Sequence, residues 1–265
     1  LGIMSGTSCD GLDFCNVKID ISEEYNLNYK ILSFTTIPFS DIEKSFIQSL
    51  RNDKNYTNKE NEIELTNIFI KKIKKFCSNL NQIDYIACHG QTVLHIDKKI
   101  SVQLFDAEYC FEKLDIPVVC NFRSNDIKCG GTGAPLMPFL DWLLFSNKHK
   151  DFVTLNIGGI ANISYIPKSG KREDVLGFDT GPGMCLVDLA SKSLFNAECD
   201  FNGRFSNKGK IVKELLNDIL DLELIKSSPP KSMDIVDFGD NLLNDILNKF
   251  PKINGHDLIK TLVQA

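Results

Sequence analysis

Leu1-Gly-Ile-Met-Ser-Gly-Thr-Ser-Cys-Asp-Gly11 opens the chain, and its reading decides the fold. Residues 1–4 are a short apolar run. Residues 5–11 are a turn built from two glycines, three hydroxyls and one carboxylate. Beyond the turn, Cys15, Val17, Ile19 and Ile21 alternate with polar neighbours, the period of a half-buried strand. The stretch therefore predicts strand, turn, strand. The same figure returns later: a strand over 152–157, a bare Gly158-Gly159 turn, and a returning strand over 160–166. A third strand follows each hairpin, over 29–37 and over 175–178.

Helices come next in both halves. Ser40-Asp-Ile-Glu43 and Thr57-Asn-Lys-Glu60 have the spacing of capping boxes. The second opens a helix whose apolar stripe is Leu65, Phe69, Ile73, Phe76 and Leu80. Short buried strands are predicted over 83–88 and 116–120, and later helices over 210–224 and 241–250. Hairpins followed by strands alternating with helices imply an α/β protein in which each half is a mixed sheet covered by helices. Two domains are expected, 1–127 and 128–265, divided in the glycine-rich stretch 128–138, with a cleft between them for ligands.

Composition narrows the function. The 265 residues hold 30 Lys and Arg against 35 Asp and Glu, a net charge of −5 that gives no footprint for nucleic acid. No apolar run reaches the roughly 20 residues of a membrane span. The nine cysteines lack any Cys-x-x-Cys and read as buried, reduced thiols, which suits a cytoplasmic protein. The sequence starts at Leu1 inside a strand and stops at Ala265 in a helical pattern, and so reads as a fragment. An unfinished second domain would leave apolar surface bare and favour a homodimer.

The polar motifs follow the predicted strands. The 5–11 turn can offer backbone N–H groups to an anion. Asp10 would repel phosphate directly, and Mg²⁺ is the natural bridge; an ordinary hairpin turn reads equally well. Gly158 and Gly159 let phosphates approach a turn without side chains. Asp179, in Phe178-Asp-Thr-Gly-Pro-Gly183, has the placement of a general base, which is preferred to a helix cap because the flanking glycines suggest an open site. His89 is either a ligand contact or a hydrogen-bonded structural residue. Arg123 suits an anionic substrate group, developing phosphoryl charge, or an interdomain salt bridge. Gly131 and Gly133 belong to a phosphate or sugar loop, or to a hinge.

Five ordered motifs carry a resemblance: residues 2–13, His89-Gly-Gln-Thr-Val-Leu-His95, Gly130-Gly-Thr-Gly-Ala-Pro-Leu-Met-Pro138, Asn156-Ile-Gly-Gly-Ile-Ala-Asn-Ile-Ser164 and 178–183. Together they resemble the anhydro-N-acetylmuramic acid kinases. The resemblance implies a two-domain actin/hexokinase-like fold that binds ATP and Mg²⁺. It implies a reaction in which water opens the 1,6-anhydro sugar and O6 takes the γ-phosphate, giving N-acetylmuramate 6-phosphate in peptidoglycan recycling. Gly6, Thr7, Ser8, Cys9, Asp10, Gly11, Leu12 and Asp13 would then cradle the phosphates, with Asp10 toward the metal. Gly158 and Gly159 would form the second phosphate loop, and Asp179 would activate water. His89, Arg123, Gly131 and Gly133 would face the sugar.

The sequence departs from the family in places. Met184 stands where Asn is usual, Asn121 where Asp is usual, and Met233-Asp-Ile-Val where Thr-Gly-Arg-Glu is usual. The family's C-terminal glycine-rich segment and a further substrate carboxylate lie beyond residue 265. These departures predict weak turnover and motivate two rival readings: a binding module without turnover, and a plain hydrolase of the anhydro bond.

Overall fold

β1 (Gly2–Met4) and β2 (Gly11–Ile21) pair antiparallel, with Ile3 opposite Phe14. Both side chains enter the core, so the hairpin's apolar alternation fixes its register. β3 (Leu27–Pro38) runs antiparallel beside β2. The computed structural model describes residues 1–6, 9–52, 57–77, 79–96, 98–146 and 149–265. The described chain divides into two compact units, Leu1–Gly133 and Ala134–Ala265.

In the first unit, α1 (Asp41–Asn52) starts from the expected capping box: Ser40 N donates to Glu43 Oε2 at 2.7 Å, and Glu43 N to Ser40 Oγ at 3.3 Å. α2 (Lys59–Phe76) is capped by Asn58 rather than Thr57; Asn58 Oδ1 accepts from Glu60 N at 2.8 Å. The helix buries Leu65, Ile68, Phe69, Ile70 and Ile73, and Leu80 falls outside it in a short 3₁₀ turn. β4 (Ile86–Cys88), β5 (Gln91–Ile96), β6 (Ile100–Leu104), α3 (Ala107–Leu114), β7 (Val118–Val119) and α4 (Ser124–Lys128) complete the unit. Its mixed sheet has the order β3-β2-β1-β4-β7, with β1, β4 and β7 parallel. β5 and β6 form a separate two-stranded hairpin. The core between sheet and helices centres on Leu12, Phe14, Phe69, Ile73 and Ile86.

The second unit opens with α5 (Met137–Phe145), then the hairpin β8 (Phe152–Ile157) and β9 (Ile160–Ile166), then β10 (Leu176–Pro182). Its sheet runs β10-β9-β8, antiparallel throughout. α5 anchors to it through the buried Asp141 carboxylate, which accepts from Thr154 Oγ1 at 2.7 Å and Ser164 Oγ at 2.6 Å. α6 (Cys185–Phe195), α7 (Lys213–Leu220), α8 (Glu223–Lys226), α9 (Asp240–Lys249) and α10 (Gly255–Gln264) follow. A second core of Leu186, Ala190, Leu215, Leu243 and Leu258 holds these helices together. All nine cysteines are free. Among the described residues, no helix is long and apolar enough to cross a membrane.

Candidate active site

The β1–β2 turn is built from below. Gln91, fully buried, accepts from Ser5 Oγ at 2.5 Å through Oε1 and donates from Nε2 to Gly6 O at 3.3 Å. The Gly-Gln-Thr motif that follows β4 thus supports the turn. Asp10 is exposed, and its carbonyl accepts from Phe39 N at 2.9 Å. Thr7 and Ser8 lie outside the described residues.

Several residues expected around phosphates have other places. Leu12 is fully buried in the core, because the alternation that starts β2 turns it inward; its side chain cannot reach a ligand. Gly11 is bare for packing, since a Cβ there would lie 2.5 Å from Ile37 O on β3. Asp13 Oδ1 accepts from Thr36 Oγ1 at 2.5 Å across the β2–β3 ladder. Cys9 is buried, which pushes its thiol up, and the nearby Arg51 side chain opposes that shift. Arg51, at the end of α1, therefore brings a cation to the turn, and nothing in the sequence pattern singled it out.

His89 and Arg123 meet in the same unit. His89 Nε2 accepts from Arg123 Nε at 3.1 Å and from Nη2 at 2.9 Å, while Arg123 Nη1 donates to Gly133 O at 2.7 Å. Gly133 N in turn donates to Asp126 Oδ2 at 2.7 Å. Gly131 lies against the same carboxylate, where a Cβ would collide with it. The glycine-rich loop up to Gly133 is thus tied to Arg123 and α4, and the division between units falls after it rather than at residue 128. Asn121, the departure just before, has φ +59°, a left-handed backbone that Asn adopts readily.

In the second unit, Asp179 lies inside β10, not at its end. A bulge separates Asp179, paired with Asn162, from Gly181, paired with Ala161, and carries the strand on to Pro182. Bulges of this kind re-aim side chains beside functional sites. Asp179 is 5% exposed. Its Oδ2 accepts from Met233 N at 2.8 Å, and its own N–H donates to Lys231 O at 3.1 Å. The segment carrying Lys231 and Met233 therefore runs along β10 and grips the carboxylate. Lys231 Nζ donates to the Leu224 and Ile225 carbonyls near the end of α8, at 2.9 and 2.6 Å. Burial pushes Lys231 below the usual lysine range, and the Asp179 charge acts in the opposite sense.

Asp179 is not a helix cap. The N-cap of α6 is Met184, which has no capping side-chain bond. Backbone carbonyls of the β8–β9 turn serve instead: Gly183 N donates to Gly159 O at 2.9 Å, Met184 N to Gly158 O at 2.8 Å, and Cys185 N to Gly159 O at 3.2 Å. The start of α6 is thus not left bare although Met184 offers no capping side chain. It also revises the role of Gly183, which is bare so that the Gly158 carbonyl can approach. Gly158 is exposed and Gly159 half-buried.

A mixed α/β architecture with sheets covered by helices is that of the actin/hexokinase-like class. The family model described as anhydro-N-acetylmuramic acid kinase matches residues 1–265. Curated relatives of that name include one from Clostridioides difficile (strain 630), 36% identical over 99% of this chain and 72% of its own length. Others come from Francisella tularensis subsp. novicida (strain U112), 37% identical over 99% of this chain and 72% of its own length, and from Bacillus cereus (strain 03BB102), 32% identical over 98% and 72%. The chain belongs to the anhydro-N-acetylmuramic acid kinase family, a family of kinases.

Proposed function

We propose that the chain opens 1,6-anhydro-N-acetylmuramic acid with water and transfers the γ-phosphoryl group of ATP to O6. Asp179 accepts a proton from water, and the water oxygen bonds to C1. The C1–O6 bond breaks, and O6 attacks the γ-phosphorus as ADP departs. The proton on Asp179 then returns to solvent. The observation that carries this reading is the Asp179 carboxylate, buried on a bulged strand and oriented by Met233 N–H. A base so held has little freedom to lose when the reaction begins.

The β1–β2 turn, with Arg51 beside it, suits ATP's phosphates; considered within its own unit, the Gly158-Gly159 turn has no side chain to bar an approaching phosphate. Mg²⁺ is commonly held by one or two carboxylates together with phosphate oxygens. The exposed Asp10 fits that manner of binding. Among the described residues there is no cluster of three ligating side chains, which such a site does not require. Bound there, Mg²⁺ would screen the charge between Asp10 and the phosphates. Arg123 suits an anionic group of the sugar.

The test is turnover in H₂¹⁸O with ATP and the anhydro sugar. The expected product is sugar 6-phosphate in stoichiometry with ADP, carrying ¹⁸O at C1 and unlabelled oxygen at O6. Sugar opening without ADP, or label in the phosphoryl group, would overturn the reading.

A further inference from the structure

We infer that His89 is a positioning residue: its neutral ring, fixed in one tautomer by the Gly90 carbonyl, holds the Arg123 guanidinium in the orientation that receives the sugar's anionic group. The inference rests on the proposed role of Arg123 and adds the device that sets it.

The geometry starts from Gly90. Its φ is +73°, and a Cβ there would lie 2.8 Å from Leu104 O. Only glycine takes this turn easily where β4 ends and β5 begins. The turn leaves the Gly90 carbonyl 3.0 Å from His89 Nδ1. A carbonyl can only accept, so Nδ1 carries the hydrogen. On the other side of the ring, Arg123 Nε and Nη2 both point at Nε2. A guanidinium can only donate, so Nε2 is bare. One neutral tautomer satisfies both ends, and a protonated ring would set N–H against N–H.

The surroundings enforce the same state. His89 is 6% exposed, and its backbone N–H donates to Ile3 O at 3.0 Å on β1. Burial, followed by the Arg123 charge, pushes the imidazole down to about 4. Nε and Nη2 form the side-on fork of arginine, the edge that a carboxylate partner would take in a bidentate pair. Here a neutral ring fills that edge. It sets the plane of the guanidinium without bringing a countercharge of its own. Gly133 O fixes Nη1 at 2.7 Å. The His89 ring and the Gly133 carbonyl, neither carrying formal charge, are thus two of the groups that orient the charged arm.

Two measurements test this. Long-range ¹H–¹⁵N correlation on the unaltered chain must show His89 at neutral pH with hydrogen on Nδ1 and a bare Nε2, and Arg123→Ala must raise the pH at which His89 titrates. This readout needs no turnover, so it stands apart from the kinase reading. In steady-state assays, His89→Ala should raise the sugar KM about 10- to 100-fold, as loss of a charge-assisted hydrogen bond would, with the ATP KM within twofold. His89→Gln, whose amide oxygen can still accept from Arg123, should recover most of that loss. An Nε2–H tautomer, or an unmoved titration in Arg123→Ala, overturns the inference. So does a His89→Ala chain that turns over with its sugar KM unchanged. Absence of any product from the unaltered chain would remove the kinase reading and leave the spectroscopic result to decide the role of His89.

Discussion

At Gly181 and Gly183 two glycines of one motif do different work. Gly183 gives way to the Gly158 carbonyl, whereas a Cβ at Gly181 would meet Ile225 at an ordinary 3.6 Å. Gly183→Ala should therefore destabilise the second unit by about 1–3 kcal/mol through forced backbone displacement, and Gly181→Ala should fold normally. Urea unfolding of both variants checks the contrast; equal losses would show that the turn contact is not the constraint. The same scale holds a pH prediction. The His89 imidazole is held down to about 4, against about 6.5 in the unfolded chain. Between those values the unfolded chain binds a proton that the folded chain does not, so stability falls as pH drops through that window, by on the order of 3 kcal/mol. His89→Gln should flatten this part of the stability–pH curve. Two curves of equal slope would refute the assignment.

Elements were legible where local pattern and packing agree. β8 and β9 fall over 152–157 and 160–166 as read, because their apolar runs flank a glycine pair. β5 and β6 were not read as strands. Their pair carries His95, Ser101 and Gln103, which bond within the hairpin, and Gln91, which bonds to Ser5 and Gly6; these polar residues blur its alternation. α3 was not read either: eight residues bury only Cys110 and Leu114, too short a stripe to show a period. The bulge in β10 hid the strand's continuation past Asp179, and the support from Met233 and Lys231 arrives from more than fifty residues away, where no local pattern can announce it. At the start of α2, Asn58 holds the cap rather than the expected Thr57. Asn58→Ala should cost about 1 kcal/mol and Thr57→Ala far less. Thermal unfolding distinguishes them, and the reverse order would restore Thr57 as the cap.

The chain as a whole has two cores, each assembled from its own unit. Leu12 and Phe14 enter the first core from the face of β2 opposite Cys15, Val17, Ile19 and Ile21, the residues whose alternation marked the strand; Ile19 and Ile21 are exposed, at 58% and 46%. With Leu12 buried, a motif read as a run of ligand contacts contributes only part of its residues. What remains is a division of tasks: a turn supported by Gln91 and accompanied by Arg51, an arginine oriented by His89, and an acid held by Met233. The acid is central. Asp179→Asn keeps an oxygen able to accept from Met233 N–H, so its unfolding midpoint should stay within a few degrees of the parent's, while the side chain can no longer take a proton from water. Formation of sugar 6-phosphate by the Asn variant should fall by roughly 10³-fold. A folded Asn variant that still makes product within threefold of the parent rate would contradict the account.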